Sequence, residues 1–283
     1  AEEFDHVIKM GRTQMQDAVP IRLGQEFRAY SWVVRRDIAR FERAKDEMRR
    51  LNMGGTAIGT GINADERYLR RIIPNLSKVT GLELVQAFDL IDATQNLDGL
   101  VAVSGAVKTC AVNLSKMSND LRLMSSGPRC GFSEINLPPR QNGSSIMPGK
   151  VNPTQCEALA MVCAQVFGIN TTMTLCAGSG AFQLNVYMPI MIYDFVESCR
   201  LLADAMNSFT THCIDGVEFV PEKLKFFVEQ SLMIATSLTP YIGYDKSAQV
   251  VKEAYKRGCS IKEIILEEKL MTEDEFAEAV RMK

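Results

Sequence analysis

Apolar residues recur at three- or four-residue steps along most of this chain, which is the pattern of helices that bury one face. The first apolar stripe follows Pro20 and continues to Met48. A second runs from Tyr68 to Val79 and stops before Gly81, and glycine is the usual residue just beyond a helix. We therefore predict an amphipathic helix in each segment.

Two longer segments carry the same pattern, with an irregular stretch between them. We predict a helix from about Asp89 to Ser126 and another that begins at Pro153. Residues 127–143 contain three prolines, three glycines and no period, so they are predicted to form a loop. No strand pattern longer than a few residues is present. The sequence therefore predicts an all-α protein.

The stretch between Glu157 and Asp194 contains no Asp, Glu, Lys or Arg. Its length invites a transmembrane interpretation, but polar residues interrupt every apolar run well before about 18 residues. These residues are Gln165, Asn170, Thr171, Thr172, Gln183 and Asn185. Helices without a charged face are buried on all sides. An oligomer that covers them is the favoured explanation, and a large monomeric core is the alternative.

Shorter amphipathic pieces follow toward the C-terminus. Pro221 is predicted to begin a helix that Pro240 interrupts, and a further helix covers Ser247 to Arg257. Ser260 and Thr272 each precede a glutamate by three residues, which is the pattern of a capping box at a helix start. The last quarter of the chain is therefore predicted to consist of short, well-punctuated helices.

This change of pattern predicts two domains of unequal size. Residues 1–217 would form a central domain of long helices, and residues 218–283 a small C-terminal helical domain. A chain of 283 residues is long enough to bury a substantial core in this arrangement.

The charge distribution excludes some classes of function. The formal net charge is -2 and 23% of the residues are charged, so neither a nucleic-acid-binding surface nor a polyanionic tail is indicated. Basic residues between Arg35 and Arg50 are interleaved with acidic ones at helical spacing. This is typical of a solvated helix face, with a phosphate-binding stripe as the alternative. Residues 1–13 show no basic start, apolar run or cleavage site, so no secretory signal is predicted.

The chain contains eight cysteines, and no two are closer than seven residues apart. A chain with a core of this size does not need a disulfide framework, so we expect reduced, buried thiols in a cytoplasmic protein. The two histidines, His6 and His212, are not brought together by any pattern, and neither lies near Cys156 and Cys163. No metal site and no cofactor are therefore predicted.

The stretch GSSIMPGKVNP, residues 143–153, interrupts the apolar pattern with polar residues, glycines and prolines. Asn152 and Pro153 are typical of a helix start, where the free backbone N–H groups attract an anion. Lys150 adds a full positive charge, so this point is suited to a carboxylate. Ser144, beside a glycine and near that charge, can act as a nucleophile or a base. The alternative is a loop that only caps the helix.

Residues 143–153, named here the signature loop, resemble the signature of the aspartase/fumarase superfamily. Two further stretches agree, GRTQMQDAVPIRLGQEF at residues 11–27 and GGTAIGTGIN at residues 54–63. The resemblance extends over essentially the whole chain. It implies an all-α fold in which central long-helix domains pack into a tetrameric bundle, with a small C-terminal helical domain at one end.

The resemblance also implies a chemistry, in which a proton is removed next to a carboxylate and a group leaves the neighbouring carbon to give fumarate or a relative. By this likeness Ser144 corresponds to the general base. Lys150 and Asn152 correspond to the residues that hold the substrate's other carboxylate. Thr13 and Gln14 correspond to a segment that donates hydrogen bonds to the carboxylate where negative charge accumulates.

Three further residues are expected to support the site. Glu157 corresponds to an acidic residue that partners position 14 in related enzymes. As an alternative, Glu157 is simply an acidic residue in the first turn of a helix, where it favours the helix dipole. Ser145 and Met147 are expected to support the signature loop.

Two activities compete, aspartate ammonia-lyase and fumarate hydratase. The resemblance favours the lyase at position 14, because the hydratases resemble GRTH there and this chain has Gln14. Against this, VNPTQCEA in and after the signature loop and GAFQLNVYMP at residues 180–189 look more like the hydratases. A scaffold that kept the helical bundle and lost the chemistry is a third possibility.

The expected partners follow from the resemblance. The substrate would be a small dicarboxylate, aspartate or fumarate, and the protein a homotetramer whose active sites are shared between subunits. No nucleic acid and no membrane are expected. Relatives carry an N-terminal domain ahead of the position where this chain starts, so we expect the chain to be poorly active or inactive alone.

Overall fold

The computed structural model describes residues 1–280, and the fold is predominantly helical, as predicted. The α-helices of the described residues are α1 (Leu23–Ala44), α2 (Glu66–Thr80), α3 (Asp92–Gln95), α4 (Asp98–Met124), α5 (Thr154–Gly178), α6 (Met188–Phe209), α7 (Pro221–Gln230), α8 (Thr239–Ile242), α9 (Tyr244–Arg257), α10 (Ile261–Glu267) and α11 (Glu273–Ala279). Two 3₁₀ helices, Lys45–Met48 and Leu232–Leu238, and a π-helical turn, Thr210–Ile214, join some of these helices.

Within the described part of the chain, six short strands pair into three two-stranded sheets. The strands are β1 (Ile8–Thr13), β2 (Gln16–Arg22), β3 (Arg50–Leu51), β4 (Val85–Gln86), β5 (Ile135–Asn136) and β6 (Glu218–Phe219). β1 and β2 form an antiparallel hairpin, β3 pairs with β4 in parallel, and β5 pairs with β6 antiparallel.

The β1–β2 hairpin corrects the expectation that strand pattern would not extend beyond a few residues. Its turn consists of Gln14 and Met15, which both adopt positive φ values of 53° and 64°. A two-residue hairpin turn of this kind normally carries Asn-Gly or Asp-Gly. Because glycine is absent from this turn, the sequence lacks the usual hairpin signal.

The predicted helix 68–79 is confirmed as α2, which extends slightly further and is capped by Gly81 in the left-handed conformation. The first predicted helix, in contrast, is α-helical only to Ala44, and its last turn is 3₁₀. The predicted helix 89–126 is interrupted. The backbone of Asn96 is extended, with φ -109° and ψ 137°, so α3 ends at Gln95 before α4 begins.

At the C-terminus, the predicted helix from Pro221 to Pro240 needs correction. One of the two predicted capping boxes is confirmed, and the other is present only as a simple cap. α7 ends at Gln230, ten residues before Pro240, because Ser231 caps the 3₁₀ helix that follows it. Pro240 lies in the first turn of α8, where a missing N–H costs nothing. The capping box of Thr272 with Glu275 is present. At the start of α10 the Ser260 hydroxyl accepts from the Glu263 amide, as a cap.

The described residues form two compact units, one of residues 1–31, 124–136 and 218–280, the other of residues 32–123 and 137–217. The first unit contains an apolar core from the C-terminal helices, in which Leu238, Ala254, Ile264 and Ile265 are fully buried. Pairing of β5 with β6 joins residues 135–136 to residues 218–219 within this unit. The predicted domain boundary between residues 217 and 218 coincides with one boundary between these units. The rest of the predicted division into two domains stays a prediction.

α5 and α6 pack against each other in the second unit, where Ile169, Met173, Cys176 and Met191 form a buried cluster. By length and composition α5 could cross a membrane, and a core helix of a soluble protein passes the same test. Each helix buries only one face within a single chain. Leu175 on the other face of α5 is 66% exposed. A single chain therefore leaves the other face of these helices uncovered, and burial of that face in an oligomer stays a prediction.

Candidate active site

The signature loop is closed at its base by backbone pairing in the second unit. Asn142 and Val151 form an isolated antiparallel bridge, and the Gly143 amide donates to the Lys150 carbonyl at 2.7 Å. The Asn152 side-chain amide donates to the Gly143 carbonyl at 3.3 Å. These bonds fix the two ends of the loop, so the residues between them project as one unit.

Two glycines are required by this closure. A Cβ on Gly143 would lie 2.8 Å from the Lys150 carbonyl oxygen and 2.9 Å from Asn152 Oδ1, which is too close for any side chain. Gly149 adopts φ 79°, a left-handed conformation that favours glycine. The glycines that interrupt the apolar pattern therefore have direct structural reasons.

Ser144 is half-buried at the start of the loop, and its hydroxyl oxygen accepts two hydrogen bonds. The backbone amides of Ile146 and Met147 donate to Ser144 Oγ at 3.2 and 3.1 Å. Amide donors aimed at an oxygen stabilise negative charge on it. Amides two and three residues on are the usual donors to a serine at a turn, and they would also lower the cost of negative charge on this oxygen. The sequence did not predict either donor, because every residue except proline has a backbone amide and its direction is not encoded by residue type.

The remaining residues predicted in the signature loop lie around this turn. Met147 contributes its backbone, with its amide directed at Ser144 and its carbonyl accepting from the Lys150 amide at 3.2 Å. Ser145 and the Lys150 side chain are exposed. The loop thus brings a serine oxygen and a lysine into one short exposed segment.

Asn152 does not cap α5 as predicted. Pro153 occupies the N-cap position and no side chain accepts from the free amides there, while the Asn152 side-chain amide donates to the Gly143 carbonyl. The first turn of α5 therefore has no side-chain cap, and its amides contribute partial positive charge. Glu157 lies in this first turn, and its Oε1 is 3.9 Å from the Arg122 guanidinium.

Thr13 and Gln14 lie in the first unit, at the tip of the β1–β2 hairpin. Thr13 pairs with Gln16 across the turn, and Gln14 is the first turn residue. Both side chains are exposed. Hydroxyl and amide donors at an exposed tip are able to bind a carboxylate.

Seven of the eight cysteines are buried or half-buried, and all eight, which lie within the described part of the chain, are free thiols as predicted. Cys130 is exposed. The Cys156 and Cys213 sulfurs lie 3.6 Å apart, just after the signature loop. The hydrogen bond to Cys156 and burial raise the pKa of Cys213. The same hydrogen bond lowers the pKa of Cys156.

Two clefts of the described residues lie away from the predicted site residues. A cleft of about 390 Å³ is lined by β1, α7 and residues around them, including His6, Leu224 and Lys225. Within residues 1–280, no group of three or more His, Cys, Asp or Glu is arranged to hold a metal ion. The residues that carry candidate chemistry are those of the exposed loop and hairpin tip.

Comparison with protein families gives two matches along the chain. A family model described as lyase matches residues 1–168, and one described as fumarase C C-terminus matches residues 234–283. The first alone covers more than half of the chain. Together they cover the hairpin, the signature loop and most of the C-terminal helices.

Individual relatives agree with these matches. The chain is 46% identical over 276 residues to aspartate ammonia-lyase of Bacillus subtilis (strain 168), covering 98% of this chain and 58% of that protein. It is 47% identical over 280 residues to class II fumarate hydratase of Neisseria meningitidis, covering 99% and 61%. The chain thus spans about three fifths of the length of these relatives.

A solved structure extends the agreement to the fold. Fumarate lyase:delta crystallin from Brucella melitensis, bound to cobalt, has a TM-score of 0.94 to this chain at 44% sequence identity. The match covers 99% of this chain and 60% of that one. On the evidence of its motifs, its helical fold and these matches, the chain belongs to the aspartase/fumarase superfamily of lyases.

Proposed function

We propose that this chain is part of an enzyme that eliminates ammonia from L-aspartate to give fumarate. The observation that carries the proposal is the pair of amides directed at Ser144 Oγ. A serine hydroxyl is a weak base, and it becomes effective only when its alkoxide is stabilised. The same two amides would supply that stabilisation.

In this mechanism Ser144 takes a proton from the substrate carbon beside one carboxylate. The electron pair left behind is delocalised onto the oxygens of that carboxylate, where Thr13 and Gln14 donate hydrogen bonds. The pair then forms the carbon–carbon double bond while the carbon–nitrogen bond breaks. Ammonia leaves with the bonding electrons, and fumarate remains.

The other carboxylate would be held at the end of the signature loop. Lys150 supplies a full positive charge, and the amides of the first turn of α5 supply partial charge, since a side-chain cap is missing there. Asn152 holds the loop closed through Gly143 and presents its side chain at the same point. Glu157, in the same first turn, is proposed to support this site.

The choice of ammonia as the leaving group depends on Gln14. An amide can donate to a carboxylate but cannot carry a proton, and a hydratase has to handle water. The two curated relatives differ by a single percentage point of identity, so overall similarity does not separate the activities. Fumarate hydratase is the second candidate, favoured by the hydratase-like sequence in and after the signature loop and at residues 180–189.

The proposal includes the assembly and its partners. Exposed apolar side chains on α5 and α6, such as Leu175 and Val196, support a homotetramer that covers them. Active sites would be shared between subunits, and the ligand would be a small dicarboxylate. A cytoplasmic location, without membrane or nucleic-acid partners, completes the proposal.

The test is an ultraviolet assay of fumarate formation from L-aspartate and from L-malate, with the protein expressed from its complete coding sequence. We expect turnover of aspartate alone. Turnover of malate alone would replace the first candidate by the second, and turnover of neither would favour a scaffold.

The variant Ser144→Ala separates catalysis from folding in the same assay. Loss of a general base should lower kcat by about 10²- to 10⁴-fold while the unfolding midpoint stays near that of the parent. Ser77→Ala is the matched control, because it removes a hydroxyl at the end of α2, where Ser77 bonds to Leu84. Full activity in Ser144→Ala would contradict the assignment of the base.

A further inference from the structure

Four charged side chains in the first unit form a cluster that the proposed mechanism does not use, named here the Glu134 cluster. Its members are Lys9 and Arg12 of β1, Glu26 of α1 and Glu134, which precedes β5. Lys9 Nζ lies 2.8 Å from Glu26 Oε2 and 3.1 Å from Glu134 Oε2. Arg12 donates to Glu134 Oε1 at 2.8 Å. Two positive and two negative charges therefore neutralise each other.

The Glu134 cluster is buried, which makes it a poor source of stability. Lys9 is 4% exposed and Glu134 is fully buried. Removing charges from water costs about as much as their attraction returns, and apolar residues of the same size often stabilise as well or better. Glu134 Oε2 also lacks a hydrogen-bond donor of good geometry among the described residues, so only the charge of Lys9 compensates it. A buried ion pair instead fixes the distance between its two side chains and their orientation.

Glu134 is itself held firmly by its backbone. Its amide donates to the Met124 carbonyl at 2.8 Å, and its carbonyl accepts from the Val220 amide at 2.9 Å. Lys9 Nζ also contacts Met124 Sδ at 3.4 Å. The carboxylate therefore projects from a fixed point between the end of α4 and the start of α7.

Arg12 links the fixed carboxylate of Glu134 to the hairpin tip. Its guanidinium carbon lies 4.4 Å above the Phe132 ring and 5.3 Å from that of Phe227, so the side chain is held by stacking as well as by charge. The residue that follows Arg12 is Thr13. Holding Arg12 therefore holds the backbone at the start of the turn.

The residues of the hairpin tip do not by themselves favour the backbone conformation that the tip adopts. Gln14 and Met15 are exposed and both adopt left-handed backbone conformations that non-glycine residues rarely occupy. Such conformations persist only where the surrounding structure imposes them. The register of β1 against β2 shifts between Met10 and Arg12. At this shift Gly11 of β1 lies so close to Val19 of β2 that a Cβ would be 2.6 Å from the Val19 carbonyl oxygen.

We propose that Glu134 is a positioning residue, which sets the place of Thr13 and Gln14 through Arg12 and Lys9. The proposal rests on the proposed function, in that those two residues are taken to donate to the charge that develops on the substrate. Displacement of donors that act in the transition state lowers kcat more than it raises KM.

The test compares the parent with Glu134→Gln, which keeps the shape and removes the charge. We expect kcat to fall on the order of 10- to 100-fold with KM changed less than about threefold. Amide hydrogen exchange over residues 10–17, followed by mass spectrometry, should accelerate in the same variant. Glu66→Gln is the matched control, because Glu66 forms an exposed pair with Arg70 at 2.6 Å, and both measurements should match the parent.

Glu134→Asp provides rescue and a safeguard. It keeps the charge and shortens the side chain, so kcat should lie between those of Glu134→Gln and the parent. If Glu134→Gln fails to fold, the same two measurements are made on Glu134→Asp against the parent. Unchanged kcat and exchange would overturn the proposal, as would a loss of activity that only follows the loss of folded protein.

Hydrogen exchange separates this proposal from the proposed function. If the parent converts neither aspartate nor malate, the proposed function fails, and exchange over residues 10–17 still reports whether Glu134 holds the tip. If the parent is active and exchange at the tip is unchanged in Glu134→Gln, the positioning role fails while the function stands.

Discussion

Ser144 shows how a common side chain acquires a special environment from its neighbours in the backbone. Its hydroxyl oxygen faces the amides of Ile146 and Met147 because the loop turns tightly after Gly143. The identity of the serine was predicted from the sequence. The two amide donors were not, because their direction depends on dihedral angles rather than on side chains.

The thiols give a second prediction at the residue scale. Burial raises the pKa of Cys110 to about 12 and that of Cys163 to about 11. A raised pKa keeps the thiol protonated until the pH approaches that value, and only the thiolate reacts rapidly. At pH 8 we therefore expect iodoacetamide to modify the exposed Cys130 much faster than either buried thiol, as measured by peptide mass spectrometry.

Two checks accompany the thiol experiment. Cys130→Ser should remove the fast phase, and denaturant should make all the remaining thiols reactive. Labelling of Cys110 or Cys163 in the native protein at the rate of Cys130 would show that burial does not protect them.

At the scale of elements, local signals placed helix ends well where a residue acts on its immediate neighbours. Gly81 ends α2 through its left-handed conformation, and Thr272 begins α11 through a capping box. Signals failed where a competing contact intervened. Asn152 suits a helix cap, yet its amide closes the signature loop instead. The break between α3 and α4 likewise follows from the extended backbone of Asn96, which apolar periodicity does not reveal.

The capping box predicts a measurable contribution to stability. Thr272→Ala removes the oxygen that accepts from the Glu275 amide at 3.3 Å. An N-cap threonine is worth about 1 kcal/mol, so the free energy of unfolding should fall by about that amount in urea titration. Thr210→Ala is the control, because that exposed hydroxyl donates to the Met206 carbonyl one turn earlier. Equal losses in both variants would contradict a capping contribution.

At the scale of the whole molecule, apolar surface on α5 and α6 points beyond a single chain. Leu175 and Tyr193 are 66% and 65% exposed, in a stretch without charged residues before Asp194. Large exposed apolar patches mark interaction sites in soluble proteins. The proposed homotetramer gives this surface a partner of the same kind.

The assembly is tested by light scattering after size exclusion. We expect a tetramer for the parent and smaller species for Leu175→Glu, because a buried unpaired carboxylate is strongly unfavourable. Val79→Glu is the control, since Val79 is an apolar residue that is 83% exposed on a different helix, α2. A monomeric parent, or a tetramer that tolerates Leu175→Glu, would contradict this arrangement.

The sequence by itself determined the helical class, the second helix with its glycine cap, the C-terminal capping box and the motifs of the superfamily. Each of these depends on residues within a few positions of one another. The 3.6-residue period, a glycine after a helix and a serine in a glycine-rich loop are all local features, so they are readable without coordinates.

Only the tertiary structure decided the features that depend on distant pairing. The hairpin joins Ile8 to Arg22 around a turn without glycine, and the Glu134 cluster joins residues more than 100 positions apart, such as Arg12 and Glu134. The same holds for the membership of residues 1–31 in the unit of the C-terminal helices. The physical reason is that burial and charge neutralisation are satisfied by whichever groups meet in space, and spacing along the chain does not record which ones do.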